Sequence, residues 1–241
     1  MELIKEKYKQ TDVGLIPSDW DAKELGQVVK LSQGVQVDLN KQIKEFQTGY
    51  IKFMRIENYT QLSDDFRYIP IVYGNNKIVN EDEIVVVRYG ATAGFVGIGY
   101  KGVLANNLFK VEPNPKYLNK DYLYRYMKGE TTFKYFQNAM FGGAMPALSF
   151  KIVKSFIIPI PTKSEQTLIA TALSDADTYI TSLEKLIAKK RNIKQGAMQK
   201  LLQPKEGWEV KKLGEIASIV RGASPRPIED TKWFDENSQI G

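Results

Sequence analysis

Between residues 16 and 160 the hydrophobic positions come in short runs, broken repeatedly by glycine and asparagine. Tyr50–Ile56 (YIKFMRI) and Glu83–Tyr89 (EIVVVRY) are β-branched or aromatic, and Phe95–Ile98 and Leu108–Val111 are shorter runs of the same kind. Such runs predict strands. So does Gln27–Leu31, after a short helical or turn segment that ends at Gly26. Gly74-Asn75-Asn76, Gly90, Gly94, Gly99, Gly102 and Asn106-Asn107 mark the turns between runs. Tyr122, Leu123, Tyr126, Met127, Phe133 and Phe136 then recur at helical spacing, which predicts one helix or two over 121–140. Phe141–Pro146 (FGGAMP) reads as a loop, and Phe156–Ile160 as a last strand closed by Pro159 and Pro161. Residues 1–15 are polar and read as a loose arm.

At Thr162 the period changes. Thr162-Lys163-Ser164-Glu165 fits a capping box, with Thr162 as N-cap and Glu165 reaching back to its amide. From there to Leu202 there is no proline, and Gly196 is the only glycine. Alternating steps of four and three select Ile169, Leu173, Ala176, Ile180, Leu183, Ile187, Lys190, Lys194, Ala197 and Leu201. Eight of these ten are apolar, the mark of a coiled-coil seam. A helix of about 39 residues is about 58 Å long, whereas a domain of about 160 residues is about 40 Å across. Such a helix outruns its own domain, and its apolar stripe needs a partner. The expected fold class is α+β: a globular mixed α/β domain over 1–161, a long coiled-coil-type spacer helix over 162–203, and a further segment over 204–241.

That last segment repeats the start of the first. Trp20–Gly34 reads WDAKELGQVVKLSQG and Trp208–Gly222 reads WEVKKLGEIASIVRG, at a constant offset of 188. Trp20/Trp208, Lys23/Lys211, Leu25/Leu213, Gly26/Gly214 and Gly34/Gly222 are identical pairs. An offset of that size is far longer than a solenoid repeat of about 20–50 residues and matches a domain.

Composition narrows the chemistry. Lysine and arginine exceed aspartate and glutamate by 34 to 28, with an isoelectric point near 9.2, which suits a polyanion such as DNA. There is no histidine, so the commonest general base and the Ser-His-Asp triad are excluded. There is no cysteine either, which fits a reducing cytosol, and the expected location is cytoplasmic. No apolar run approaches the roughly 18 residues that span a bilayer, so no membrane partner is expected. Gly97–Gly102 matches G-x-G-x-x-G, but strand-like sequence follows it instead of the helix a dinucleotide site requires. No P-loop occurs, and no Asn/Asp-Pro-Pro-aromatic run of the kind amino-methyltransferases use. Asp21-x-Lys23 and Glu209-x-Lys211 lack the further acid a metal-dependent nuclease would need, and read as solvated charge. No catalytic residue, metal site or cofactor is expected.

What remains is the chemistry of contact. Gln33 and Gln36, Arg55 with Asn58 and Tyr59, Arg88-Tyr89 with Thr92, Lys101, Asn106, Asn107 and Met145 lie on loops or at the ends of the strand-like runs. Arginine and lysine read guanine and the amides read adenine in the major groove, although most contacts in such an interface go to phosphate. Lys189-Lys190-Arg191 and Lys194 also complement the C-terminal end of a helix dipole.

The stretch Pro159-Ile160-Pro161…Glu165-Gln166…Ile169…Leu173…Asp177…Ile180…Leu183, then Lys189-Lys190 and Lys194–Leu202 (KQGAMQKLL), resembles the spacer of specificity (S) subunits of type I restriction–modification systems. Pro17–Gly26 (P-x-x-W-x-x-x-x-L-G) is similar to the opening of their target recognition domains, and Arg88–Gly94 (RYGATAG) to a loop within them. The resemblance implies that 1–161 is a target recognition domain, 162–203 the conserved spacer and 204–241 the start of a second recognition domain. In that family two such domains each read half of a bipartite double-stranded DNA target. Two long helices pair antiparallel as a ruler between them. The S subunit has no catalysis of its own. It joins modification (M) subunits, which methylate adenine, and motor-nuclease (R) subunits. Residues 209–241 are then expected to be partly ordered at best, and the chain to be a fragment, a truncated product or a half-subunit. A helix without its intramolecular mate also predicts an antiparallel homodimer through the spacer. The rival readings are a stand-alone nuclease or methyltransferase, and a coiled-coil scaffold with no role on DNA.

Overall fold

The computed structural model describes residues 7–74, 77–140 and 147–222. The fold is α+β. The chain divides into two compact units, Met1–Ser182 and Leu183–Gly241.

The first unit begins with a hairpin, β1 (Tyr8–Thr11) and β2 (Gly14–Pro17), where the polar composition had suggested a loose arm. Polarity misled because an edge hairpin is satisfied by its own ladder: Thr11 pairs with Gly14, whose φ of +100° lets the chain reverse. After it come β3 (Asp21–Glu24), the helical turn α1 (Leu25–Val28) and β4 (Val29–Gln33). The strand expected over 27–31 therefore starts two residues later. Next are β5 (Tyr50–Met54), α2 (Ile56–Thr60), β6 (Arg67–Pro70), β7 (Ile78–Val79), β8 (Ile84–Val87), β9 (Val96–Gly97), β10 (Gly102–Leu104) and β11 (Leu108–Pro113). The unit closes with α3 (Lys120–Lys128), α4 (Glu130–Met140), α5 (Phe150–Ser155) and β12 (Ile157–Ile160).

Two four-stranded sheets form the body. One runs β6-β5-β10-β7, with β10 parallel to β5 and the other pairs antiparallel. The other runs β4-β11-β8-β9 and is antiparallel throughout. All four residues of β8 are buried, which is why Ile84–Val87 shows no alternation. One face, Ile84 and Val86, packs with Phe109, Val111, Leu123, Phe136 and Phe156 under the helices. The opposite face, Val85 and Val87, packs with Met54 and Leu104 from the first sheet and with Tyr59 from α2. β8 thus welds the two sheets and the helical layer into one core. Gly97 lies in β9 and Gly102 opens β10, so the G-x-G-x-x-G run is strand and turn.

The long helix α6 spans Lys163–Leu201. Its start is built as the capping box predicts. The Thr162 amide donates to Glu165 Oε2 at 2.9 Å, and the Glu165 amide donates to Thr162 Oγ1 at 3.3 Å. Gln166 fastens the first turn to the domain. Its Oε1 accepts from the Asn119 amide at 2.6 Å, and its Nε2 donates to the carbonyls of Tyr117 and Pro161 at 2.8 and 2.9 Å. This amide is fully buried and satisfied at both ends. Farther along, Arg125 Nη1 meets Asp177 Oδ2 at 2.7 Å. From Thr171 onward every described residue of the helix is exposed. No described helix is long and apolar enough to cross a membrane.

Among its described residues the second unit holds the rest of α6 and one further helical turn, α7 (Leu213–Ile216).

Candidate nucleic-acid interface

Four of the sequence-derived contact residues, Gln36, Arg55, Asn106 and Asn107, line one concavity of the first unit. It has a volume of about 560 Å³ and is walled by Gln36, Gln42, Arg55, Glu57, Arg67, Asn106 and Asn107 over a floor of Val35, Phe53 and Ala105. Gly34 makes this possible. A Cβ there would lie 2.1 Å from the Ala105 carbonyl oxygen, so only glycine lets the end of β4 run against the end of β10. Val35 bridges Ala105 directly. That approach sets two amides beside each other: Asn106 Nδ2 donates to Gln36 Oε1 at 2.8 Å, while Gln33 Nε2 donates to the Asn106 carbonyl at 2.9 Å.

The arginines on the facing wall differ. Arg55 is held three ways, by Glu57 Oε1 at 2.7 Å, the Asp65 carbonyl at 2.7 Å and Asp65 Oδ2 at 3.3 Å. Arg67 reaches the same Asp65 carboxylate only at 3.7 Å. Arg67 is not legible as a cleft residue from the sequence, because β6 is short and ends in proline. The signal was the brief alternation of Arg67 and Ile69 with Tyr68 and Pro70, where only Ile69 is fully buried.

Arg88 and Tyr89 lie beside this wall. The Arg88 amide donates to the Asn107 carbonyl at 2.9 Å, and its guanidinium sits 4.8 Å from the Tyr89 ring centroid and 5.7 Å from that of Phe150. Arg88 Nε, Arg55 Nε and Asn107 Oδ1 are buried without a partner among the described residues. Thr92 is exposed in the tight turn that closes on Phe95. Lys101 is exposed but lines a different concavity, of about 690 Å³, with Lys52 and Phe66. Met145 lies outside the described residues.

Two of the sequence-derived residues are corrected by the structure: Asn58 and Tyr59 face inward. Asn58 is fully buried, accepting from the Arg55 amide at 2.8 Å and donating to the Ser63 carbonyl at 2.8 Å. It closes the start of α2. Tyr59 is buried against Tyr100, and that burial pushes its hydroxyl far above the usual phenol value. A polar side chain one turn after an arginine looks like surface in a sequence; here it is needed to cap a five-residue helix. On α6, Ile169 packs against the core of the first unit instead of standing free. Leu173, Ile180, Leu183, Ile187 and Leu201 are exposed, as are Ala176 and Ala197. Asp21 and Lys23 pair with each other at 3.5 Å.

The model of the type I restriction modification DNA specificity domain matches residues 17–195. The chain belongs to that family. The type I restriction enzyme MjaVIII specificity subunit of Methanocaldococcus jannaschii is 29% identical over 92% of the chain and 55% of its own length. The MjaIX specificity subunit of the same organism is 27% identical over 97% of the chain and 59% of its own length. The chain thus spans little more than half of these curated relatives. Among solved structures, the HsdS subunit of Thermoanaerobacter tengcongensis superposes with a TM-score of 0.56 at 16% identity, covering 77% of this chain and 44% of that one. The S subunit from M. genitalium gives 0.53 at 18% identity, covering 76% and 45%. A chain from a study of type I system assembly gives 0.60 at 16%, covering 83% and 49%. These likenesses show a shared fold.

Proposed function

We propose that this specificity-family chain reads duplex DNA through the cleft of its first unit and holds that reader on a spacer helix, without making or breaking a bond itself. Residues 1–161 form the target recognition domain, 162–203 the spacer, and 204–241 the opening of a second recognition segment. The observation that carries the reading is the convergence of Gln36, Arg55, Asn106 and Asn107, from three separate stretches of chain, around one open cleft. Hydrogen-bonding groups of this kind match base edges and phosphates alike. In this reading the chain recognises one half of a bipartite target and docks the modification methyltransferase subunits, with motor-nuclease subunits joining through the complex. The site of action is the cytoplasm.

The exposed stripe of α6 supports pairing with a second helix. Charge supports an antiparallel mate, including a second copy of this chain. Residues 163–182 carry one lysine against three acids, whereas 183–201 carry six cations against one acid. Antiparallel pairing sets the acidic half of each helix beside the basic half of the other; parallel pairing sets like beside like.

Titrating duplex DNA into the purified chain at two salt concentrations tests the reading. Binding that weakens steeply with salt and persists more strongly for one sequence is expected. Binding indifferent to sequence at every salt would overturn it, as would cleavage or methyl transfer by the chain alone. Light scattering at tens of micromolar is expected to report a dimer in the absence of partner subunits, and a strict monomer would remove the homodimer.

A further inference from the structure

The cleft contains two arginines, yet it is a poor trap for a bare phosphate. Arg55 and Arg67 share its wall with Glu57, and Asp65 touches both guanidinium groups, so acids offset the cations one for one. Long-range attraction for the DNA backbone is therefore weak here, and short directional hydrogen bonds decide what binds. Which side chains retain that capacity can be read from their partners. Both terminal nitrogens of Arg55 are engaged, at 2.7 Å to Glu57 and 2.7 Å to Asp65. Among the described residues Arg67 makes only the 3.7 Å contact, with its side chain 26% exposed. The amide pair is half engaged. Asn106 Nδ2 and Gln36 Oε1 are spent on each other, while Gln36 Nε2 and Asn106 Oδ1 have no partner among the described residues.

We propose that Arg67 and the Gln36–Asn106 amide pair are the specificity-determining residues of the cleft, and that Arg55 is a positioning residue. This deepens the DNA-reading function proposed above and rests on it. Arg67 offers the forked donor that matches guanine O6 and N7, and the amide pair offers one donor and one acceptor, the complement of adenine N7 and N6. The ligand class is thus purine edges of duplex DNA in the major groove. Arg55 holds the Ile56–Thr60 helical turn and the Asp65 loop in register, and through Asp65 it sets where Arg67 stands.

Selection from a randomised duplex library with the full chain tests this. The wild type, Arg67→Ala, Arg67→Lys, Asn106→Ala and Lys134→Ala are selected in parallel, with a thermal melt confirming that each is folded. Arg67→Ala is expected to lose a guanine preference at one position, and Arg67→Lys to weaken it. Affinity for the wild-type consensus should fall about 5- to 150-fold, equivalent to about 1–3 kcal/mol. Binding to unselected duplex should change little. Asn106→Ala is expected to relax a different position, and Lys134→Ala, exposed on α4 and paired with Glu130, none. Arg67→Lys separates shape from charge, since it keeps the cation and loses the fork. Folded Arg67 variants that return the wild-type consensus with wild-type affinity would overturn this inference and leave the DNA-reading function standing. A wild-type chain that selects no sequence at all would overturn both.

Discussion

Trp20–Gly34 and Trp208–Gly222 carry the same phrase, yet they are built to different depths. Both form the helical turn at the same place: Leu25–Val28 in the first copy and Leu213–Ile216 in the second, offset by the 188 residues that separate the sequences. A helical turn is closed by its own backbone, and Val29 and Ala217 each donate back to the leucine that opens the turn. The flanking strands differ. Asp21–Glu24 is a strand because Ile157–Ile160 pairs with it, and Val29–Gln33 because Leu108–Pro113 does. Neither 209–212 nor 217–221 is a strand. Burial follows the pairing: Leu25 is 0% exposed and Leu213 61%. Local sequence is enough for the turn, while the strands and the core require a whole domain.

The largest test of that contrast is truncation of the matched leucines. Leu25→Ala removes a fully enclosed side chain and is expected to cost about 3–5 kcal/mol in urea unfolding. Leu213→Ala should change stability by less than about 0.5 kcal/mol. The matched glycines come next. Gly34→Ala drives a methyl group into the Ala105 backbone and is expected to cost about 3 kcal/mol, whereas Gly222 has nothing within 4 Å and tolerates alanine. A smaller loss is expected at the helix root. Gln166→Leu keeps the volume but strands the Asn119 amide and two carbonyls, for about 2 kcal/mol.

The smallest effect is one of pH. Glu165 accepts from the Thr162 hydroxyl and amide and from the Trp20 indole, and these hold its carboxyl below its ordinary value of 4.5. A depressed folded value means the stabilisation is fully present above pH 4.5 and is lost as the pH falls through the folded pKa. Melting temperature should therefore drop on acidification below that point. Glu165→Gln and Trp20→Phe should both flatten the drop, while Trp208→Phe, whose ring is exposed, should leave it unchanged.

The sequence made visible whatever burial wrote into it without help from a distant partner. Ile84–Val87 and Leu108–Val111 stood out because sandwiching left them nearly unbroken apolar runs, and α6 because its cap and its seam lie within one stretch of chain. Asp21–Glu24 was invisible as a strand because DAKE has no strand character of its own. The cleft was partly legible. Gln36, Arg55, Asn106 and Asn107 were recognisable as polar residues at turns, but Arg67 joined them only through β6, and Asn58 left them because its amide caps a helix. Gln166 reads as an ordinary polar residue in a helix, and nothing local reveals that three backbone groups of the domain close around it.

A reader carried on a helix that pairs with a second helix must read at a set distance. The direct measurement uses duplexes carrying two inverted copies of the selected half-site, with the gap between them lengthened one base pair at a time. A sharp affinity maximum at a single gap is expected, lost when the exposed stripe residues Leu183 and Ile187 are changed to lysine. Affinity that stays flat across all gaps, or a maximum that survives those two changes, would contradict it.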